Sequence, residues 1–242
     1  MGAGTGSAGA QGTFVRARFG RRALLATGSG VVLLPLLGSR ARAAEGSSEG
    51  RTVDVTGWSL PRLAFTMADA DTAREVSAAD FRGQVVLLYF GFTNCTDVCP
   101  MTLHNIALAL RRLGQDAGER VRALFVTVDP DRDTIAVLHK YTHAFAPEIV
   151  GLRGTANQLA ALASRYHIGY SVSPATATRP YDVNHSSVIY VFDAHGRARF
   201  LIPSLDSSTS DVAGLAGVIR HLLGPGSPEA GAPETVAAAR HT

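Results

Sequence analysis

Short apolar segments alternate with helical segments along most of this 242-residue chain. An unbroken apolar run such as residues 85–90 is typical of a strand that is buried on both faces of a sheet. Strands that alternate with helices, followed by a hairpin and a last helix, predict an α/β fold with a central mixed sheet flanked by helices. We predict strands at 63–66, 85–90, 121–128, 149–152, 187–193 and 198–202, and helices at 100–113, 134–145, 157–167 and 211–223.

The two ends of the chain differ in composition from the middle. Residues 1–43 hold six arginines and no acidic residue, and the pair Arg21-Arg22 precedes an apolar run. This pattern predicts a twin-arginine-like export signal, which is either cleaved or retained as an anchor that would be the chain's one membrane contact. We expect residues 44–57 to be a linker, 58–224 to be the folded domain, and the Gly/Pro/Ala-rich residues 225–242 to be a disordered tail.

The positive charge of the whole chain comes from that first segment. Without residues 1–43, the chain has 17 basic and 20 acidic residues, and its net charge changes from +3 to −3. No basic stripe with interleaved aromatic residues is present, so we do not expect nucleic-acid binding. Export would place the chain in the periplasm or at the outer face of the bacterial cytoplasmic membrane, where conditions are oxidising.

The chain has two cysteines, Cys95 and Cys99, which lie between the strand at 85–90 and a helix expected to begin near Pro100. Such a pair can form a disulfide or hold a soft metal ion. A disulfide would close a very short loop and stabilise the fold little, which favours a redox or metal-binding pair. A helix N-terminus stabilises thiolates, so we expect both sulfurs to be reactive. Either a helical turn from Cys95 or a curled loop before Cys99 would bring the sulfurs together.

Two thiolates are too few for a closed metal site, so a third ligand is needed. His185 lies just before the strand predicted at 187–193 and is a reasonable ligand, whereas His104, on the helix after Cys99, is a weak candidate. We interpret Asp97 as a helix cap and Asp129 as a turn residue, and we expect Trp58 and Phe92 to be buried. Five further histidines have no cysteine near them in the sequence and are expected at the surface: His139, His143, His167, His195 and His221.

Three ordered motifs resemble the Sco/SenC proteins: residues 91–100 with the cysteine pair, residues 128–134 (VDPDRDT), and residues 183–186 (VNHS). The resemblance covers roughly residues 58–224. It implies a thioredoxin-like fold and a copper-binding assembly factor for cytochrome c oxidase. It further implies that one copper ion, Cu(I) or Cu(II), is bound by Cys95, Cys99 and His185. The implied partners are the copper domain of oxidase subunit II, whose dinuclear site would receive the copper, and other copper chaperones.

The sequence departs from the family pattern at two positions. Thr96 follows the first cysteine where the family usually has proline, and Asn184 precedes His185 where the family usually has aspartate. A metal-bound histidine normally donates its second ring N–H to an acid or a carbonyl, so the partner of His185 is left open. Asp182 is an alternative partner two residues away.

The same residues leave two other functions open. Cys95 and Cys99 could be the catalytic redox pair of a thiol–disulfide reductase that keeps the cysteines of a target reduced, or they could sense copper or redox state without any transfer. Thioredoxin-like reductases normally carry a C-x2-C pair and a cis-proline loop. This chain has a C-x3-C pair, and His185 stands where that loop would lie. Both differences favour a copper carrier over an enzyme.

Overall fold

A computed structural model of the chain describes residues 52–224, apart from the side chains of residues 116 and 117. The predicted export signal, most of the predicted linker and the predicted tail lie outside the described residues. None of the helices in the described part is both long and apolar enough to cross a membrane.

Within residues 52–224, the chain forms ten strands, five α-helices and one short 3₁₀ helix. The strands are β1 (Val53–Asp54), β2 (Thr66–Asp69), β3 (Glu75–Ser77), β4 (Val85–Gly91), β5 (Val121–Thr127), β6 (Ile149–Arg153), β7 (Tyr170–Ser173), β8 (Asp182–His185), β9 (Ile189–Phe192) and β10 (Ala198–Ile202). The α-helices are α1 (Val98–Leu113), α2 (Gln115–Arg120), α3 (Ile135–His143), α4 (Ala156–Arg165) and α5 (Val212–Leu223), and the 3₁₀ helix is Ala78–Phe81.

Eight of the strands form one mixed sheet in the order β1-β10-β9-β4-β5-β6-β2-β3. β4, β5 and β6 pair in parallel, and the strands outside them pair antiparallel. β7 and β8 form a separate antiparallel hairpin. The predicted α/β class with a central mixed sheet flanked by helices is therefore confirmed.

The central strand β4 explains why the core lies on both sides of this sheet. All seven of its residues are buried. Leu87 and Tyr89 pack into the cluster that includes side chains of α1, α3 and α5. Leu88 and Phe90 point the other way and pack into the cluster that includes side chains of α4. Because the side chains alternate along the strand, Tyr89 ends on the same face as the helix that carries Cys99.

Several elements differ from the prediction. β1 lies inside the segment 44–57 that was predicted as a linker, and it pairs with β10. The first predicted strand, at 63–66, is displaced to β2. Gly114 ends α1 with a positive φ of 68°, as predicted, but the chain then enters the unpredicted helix α2 instead of passing directly to β5. The β7–β8 hairpin was also missed, because its strands are mostly polar and carry no apolar run. Trp58 is 60% exposed, so its predicted burial is wrong.

Candidate metal centre

The cysteine loop follows the carboxyl end of β4. α1 begins at Val98, two residues before Pro100, so Cys99 lies in the first helical turn and Cys95 lies in the loop before it. Asp97 occupies the N-cap position, but its side chain makes no capping hydrogen bond. Instead, the Cys99 backbone N–H donates to the Cys95 Sγ over 3.4 Å. The loop therefore curls back onto the helix, which is the second of the two geometries that the spacing allowed.

The structure brings His185 to the second cysteine. The Cys99 Sγ and the His185 Nε2 are 3.3 Å apart, although the two residues are separated by 86 positions in the sequence. The Tyr89 hydroxyl approaches the same sulfur at 3.6 Å. Both cysteines are free thiols; Cys99 is fully buried and Cys95 is half-buried. The Cys99 sulfur and the His185 imidazole thus meet at the carboxyl end of β4, next to the loop that carries Cys95, but the three ligand atoms do not all lie within 4.8 Å of one another.

The groups around His185 determine which nitrogen of its neutral ring carries the proton. Its ring lies edge-on to Tyr89 and Phe92, with centroid distances of 6.0 and 5.8 Å. Its Nδ1 is 3.1 Å from the Ser186 carbonyl oxygen. A carbonyl can only accept, so the proton of the neutral ring is on Nδ1 and the Nε2 lone pair faces the Cys99 sulfur. Burial lowers the pKa of His185, which keeps the ring neutral at physiological pH. This is the tautomer in which an imidazole binds a metal through Nε2.

Residue 184, which precedes His185, is asparagine and not the aspartate that is usual in the family. The Asn184 side chain donates to the Asp182 carboxylate over 2.8 Å, and both residues are exposed. Asp182 is therefore engaged with Asn184, and the Ser186 carbonyl takes the second nitrogen of His185. The Asn184 departure leaves the orientation of His185 intact because a backbone acceptor replaces the missing carboxylate.

The helix N-terminus was expected to favour thiolates and make both sulfurs reactive, but at Cys99 burial opposes this effect. Burial raises the pKa of the Cys99 thiol to about 12, more than enough to outweigh the opposing hydrogen bonds from the Phe92 backbone and the Tyr89 hydroxyl. The sulfur is in the hydrophobic cluster beneath the helix end. In the copper-free chain, Cys99 is therefore a protonated thiol whose S–H can donate to the His185 Nε2.

We expect copper binding to tighten as the pH rises. A metal takes Cys99 as a thiolate, so the thiol must lose its proton, and the lone pair of His185 is already free. Loss of the Cys99 proton alone contributes a factor of about ten per pH unit to the fall in the apparent dissociation constant below the thiol pKa, and the proton released by the Cys95 thiol adds to that slope. Competition with a Cu(I) chelator of known pH dependence between pH 6 and 8 measures the slope. Cys99→Ser should lose one tenfold step per unit, and a flat profile in the native chain would contradict the prediction.

Two buried carboxylates hold the two halves of the site in place. Asp133 accepts hydrogen bonds from the Thr93 backbone N–H at 3.0 Å and from the hydroxyls of Thr93 and Thr127 at 2.5 and 2.6 Å. Thr93 is two residues before Cys95, so Asp133 anchors the cysteine loop.

The second carboxylate anchors the hairpin that carries His185. Asp129 accepts a hydrogen bond of 2.7 Å from the Tyr181 hydroxyl, just before β8, and pairs with Arg132. The Arg132 guanidinium also lies 3.7 Å from the centre of the Tyr181 ring. Asp129 is thus more than a turn residue, because a single short segment, residues 129–133, is bonded both to the cysteine loop and to the hairpin that carries His185.

Gly91, the last residue of β4, has no room for a side chain. A Cβ there would lie 2.9 Å from the Cys99 Sγ and 2.5 Å from the Phe125 ring. We therefore expect Gly91→Ala to push the sulfur from its place, costing about 1–3 kcal/mol of stability and weakening copper binding. Chemical denaturation and copper titration measure the two effects. Gly217→Ala is the control: position 217 is exposed on α5 with nothing within 4 Å, so stability should be unchanged or higher. Equal behaviour of the two variants would refute this account.

The remaining sequence candidates lie apart from this cluster or outside its contacts. His167, His195 and His221 are exposed, as predicted, and His104, the weak ligand candidate, is also exposed. Tyr89, Asp133 and Tyr181 were not predicted as site residues. The alternation of β4 and its position before the cysteine loop could have indicated Tyr89. Nothing in the sequence alone indicates that Tyr181 pairs with Asp129.

The mixed sheet, with thiols after a central strand and a histidine opposite them, defines a thioredoxin-like protein that carries a soft metal-ligand set. The sequence profile of the SCO1/SenC family matches residues 61–220, and the chain belongs to that family. The predicted family and the predicted thioredoxin-like fold are both confirmed.

Curated and solved relatives agree with this assignment. The chain is 37% identical to the bovine protein named SCO2 homolog, mitochondrial, over 87% of this chain and 80% of that protein. It spans about half the length of several other curated relatives, from 41% to 58%. Among solved structures, it resembles Bradyrhizobium japonicum ScoI with copper bound (31% identity, TM-score 0.56, 65% of this chain and 98% of that chain). It also resembles Arabidopsis thaliana ScoI with copper bound (29%, TM-score 0.57, 66% and 97%).

Proposed function

We propose that this protein binds one copper ion through Cys95, Cys99 and His185 and assists assembly of the dinuclear copper site of cytochrome c oxidase. The observation that carries the proposal is the 3.3 Å approach of the His185 Nε2 to the Cys99 Sγ, next to the free thiol of Cys95. Two of the three proposed ligands, from distant parts of the chain, therefore already face each other without metal. Copper binding would displace the thiol protons and draw the Cys95 sulfur toward the other two ligands, since the three ligand atoms do not all lie within 4.8 Å of one another.

The donor set fits copper better than other common metals. Two thiolates and one imidazole are soft and borderline ligands, which suit Cu(I) in three-coordinate geometry, and one added weak ligand would accommodate Cu(II). A structural zinc site would need a fourth protein ligand. An open ligand position and one half-buried sulfur allow ligand exchange, which a carrier requires. Two solved relatives are described with copper bound, and this supports the choice of metal.

The partner and the compartment belong to the proposal as well. The family resemblance points to the copper domain of oxidase subunit II as the recipient, with other copper chaperones as donors. The arginine-rich segment 1–43 supports export to the periplasm or the outer membrane face, although the bovine relative is named as mitochondrial. Trp58 is exposed, so its side chain is available for contact with a partner protein.

A thiol–disulfide reductase is the second candidate, because the two cysteines are free and Cys95 is within reach of solvent. In that case, Cys95 and Cys99 would pass two electrons to a disulfide in the target and would themselves become a disulfide. His185 would then be dispensable, since the exchange needs only the sulfurs. A sensor would bind copper or change redox state without passing copper or electrons to a target.

Two reactions with the purified copper domain of oxidase subunit II distinguish the carrier, the reductase and the sensor. The Cu(I)-loaded full chain is mixed with the reduced, copper-free domain, and the copper-free reduced chain is mixed with the oxidised domain. A carrier moves copper to the first target, and this transfer is lost in His185→Ala. A reductase reduces the second target equally well with or without His185. Failure of both reactions, with copper still bound to the chain, would indicate a sensor and refute the proposed role in assembly.

A further inference from the structure

Three metal-ligating side chains meet at the surface outside the thiol centre. The Asp71 Oδ1 lies 3.1 Å from the His139 Nδ1 and 3.0 Å from the His143 Nε2. The two imidazole rings are 4.2 Å apart between centroids. One ligand atom from each residue lies within 4.8 Å of the other two. The sequence analysis placed both histidines at the surface, which is correct, but it did not connect them with Asp71.

A rigid support holds the three side chains together. Gly151 on β6 is in close contact with three buried residues: a Cβ at position 151 would lie 3.0 Å from Leu138, 3.2 Å from Ala70 and 3.5 Å from Thr142. Each of these residues immediately precedes one member of the cluster. The close approach of α3 to β6 at this glycine therefore sets the two histidines beside the turn that carries Asp71.

The turn and the helix are each fixed by hydrogen bonds. The buried Asp69 carboxylate accepts from the Asp71 N–H at 2.6 Å and from the Thr72 N–H at 3.1 Å. The Ala70 N–H donates to the Gly151 carbonyl at 2.8 Å. On α3, His139 and His143 are four residues apart, so they project from the same helical face one turn from each other. The backbone under all three ligands is thus held by the sheet.

This cluster is separate from the cysteine centre. β2 runs antiparallel to β6, with Asp69 opposite Leu152, so Asp71 lies toward the amino end of β6. The cysteine loop follows the carboxyl end of β4, which is parallel to β5 and β6. The Asp71 turn therefore lies away from the strand ends that carry the cysteine loop.

We propose that Asp71, His139 and His143 form a second metal site, which binds a divalent first-row transition ion such as Zn(II) or Cu(II). Two imidazole nitrogens and one carboxylate oxygen are ligands of the borderline kind that these ions prefer, in contrast to the thiolates of the first centre. All three residues are exposed, so water completes the coordination and the ion exchanges with solvent.

Binding requires only a small local change. In the metal-free chain, the two ring nitrogens that face the Asp71 oxygen are N–H donors. In the metal complex, each neutral ring moves its proton to its other nitrogen and offers the lone pair to the ion. The carboxylate keeps its place between the rings and neutralises part of the charge of the ion.

The test counts metal ions in the full chain. In a Cys95→Ser/Cys99→Ser background, which removes the thiolates, equilibrium dialysis against Zn(II) should retain one ion per chain. Adding His143→Gln or Asp71→Asn should lower the zinc affinity at least about tenfold, since even changes outside the coordination sphere cost that much. His221→Gln, which alters an exposed helical histidine elsewhere, is the control. With Cu(II), electron paramagnetic resonance should show nitrogen hyperfine coupling that His143→Gln reduces.

A second measurement keeps both cysteines, so its result does not depend on whether the cysteine variant folds. The His139→Gln/His143→Gln variant should bind one zinc ion fewer than the reduced native chain. Both substitutions are on the exposed face of α3, so circular dichroism should be unchanged. The proposal is overturned if the number and affinity of bound zinc ions are the same in the native chain and in this variant. That result would make the three residues a hydrogen-bonded surface cluster only.

Discussion

Replacing His185 with alanine is expected to weaken copper binding by at least about a hundredfold. It removes one of three proposed ligands, whereas loss of a residue that only orients a ligand already costs about 10–100-fold. The fold should survive, because His185 is half-buried at the end of a hairpin outside the main sheet. Competition titration with a Cu(I) chelator measures the affinity, and the thiolate-to-Cu(II) absorption band, which should weaken or vanish, reports the same loss.

His104→Ala is the matched control for this experiment. His104 is an exposed histidine on α1, the helix that also carries Cys99. Its removal should leave copper affinity and the absorption band unchanged. Copper binding that is indifferent to His185 would remove the imidazole from the site and favour the thiol–disulfide reductase.

Replacing Asp133 with alanine is expected to lower the free energy of unfolding by about 3 kcal/mol or more, because the buried donors of Thr93 and Thr127 would lose their acceptor. Asp133 has no exposed surface, and none of the four ion pairs among residues 52–224 includes it. Its side chain is therefore held by the hydrogen bonds from Thr93 and Thr127 and by none of these ion pairs. Copper affinity should fall in parallel, because Thr93 no longer anchors the loop before Cys95. Urea denaturation and copper titration measure the two losses.

Asp131→Ala makes the same chemical change two residues away, where the side chain is exposed. It should alter stability by no more than about 0.5 kcal/mol. If Asp131→Ala and Asp133→Ala destabilised the protein equally, the hydrogen bonds to Thr93 and Thr127 would not be what holds this loop.

The sequence predicts the sheet and its helices well where burial determines the pattern. β4, β5 and β9 are apolar on both faces, and their strands were predicted within one or two residues. The failures lie where burial is partial. β7 and β8 are polar strands that exist because they pair with each other, and β1 has only two residues. Pairing partners of this kind are set by the tertiary structure and leave no periodic signal in the sequence.

The three candidate ligands were named from the sequence, but their surroundings were not. The cysteine spacing indicated a reactive pair, and its position before a strand together with the family resemblance indicated His185; the structure places that histidine 3.3 Å from the Cys99 sulfur. The helix-end argument predicted thiolates at both positions. At Cys99, burial dominates the helix dipole, and burial depends on Tyr89, Phe125 and the α5 packing, which sequence spacing does not report. The Ser186 carbonyl likewise could not be identified as the partner of His185 from the residue types.

The unequal burial of the two sulfurs gives any exchange at this centre an order. An incoming thiolate must approach from solvent, and Cys95 is half-buried whereas Cys99 has no exposed surface. In the thiol–disulfide reductase alternative, a mixed disulfide with a partner protein would therefore form first at Cys95, and Cys99 would be the thiol that later resolves it. A copper ion held as proposed would follow the same sequence, with Cys95 replaced first while Cys99 and His185 release the ion last.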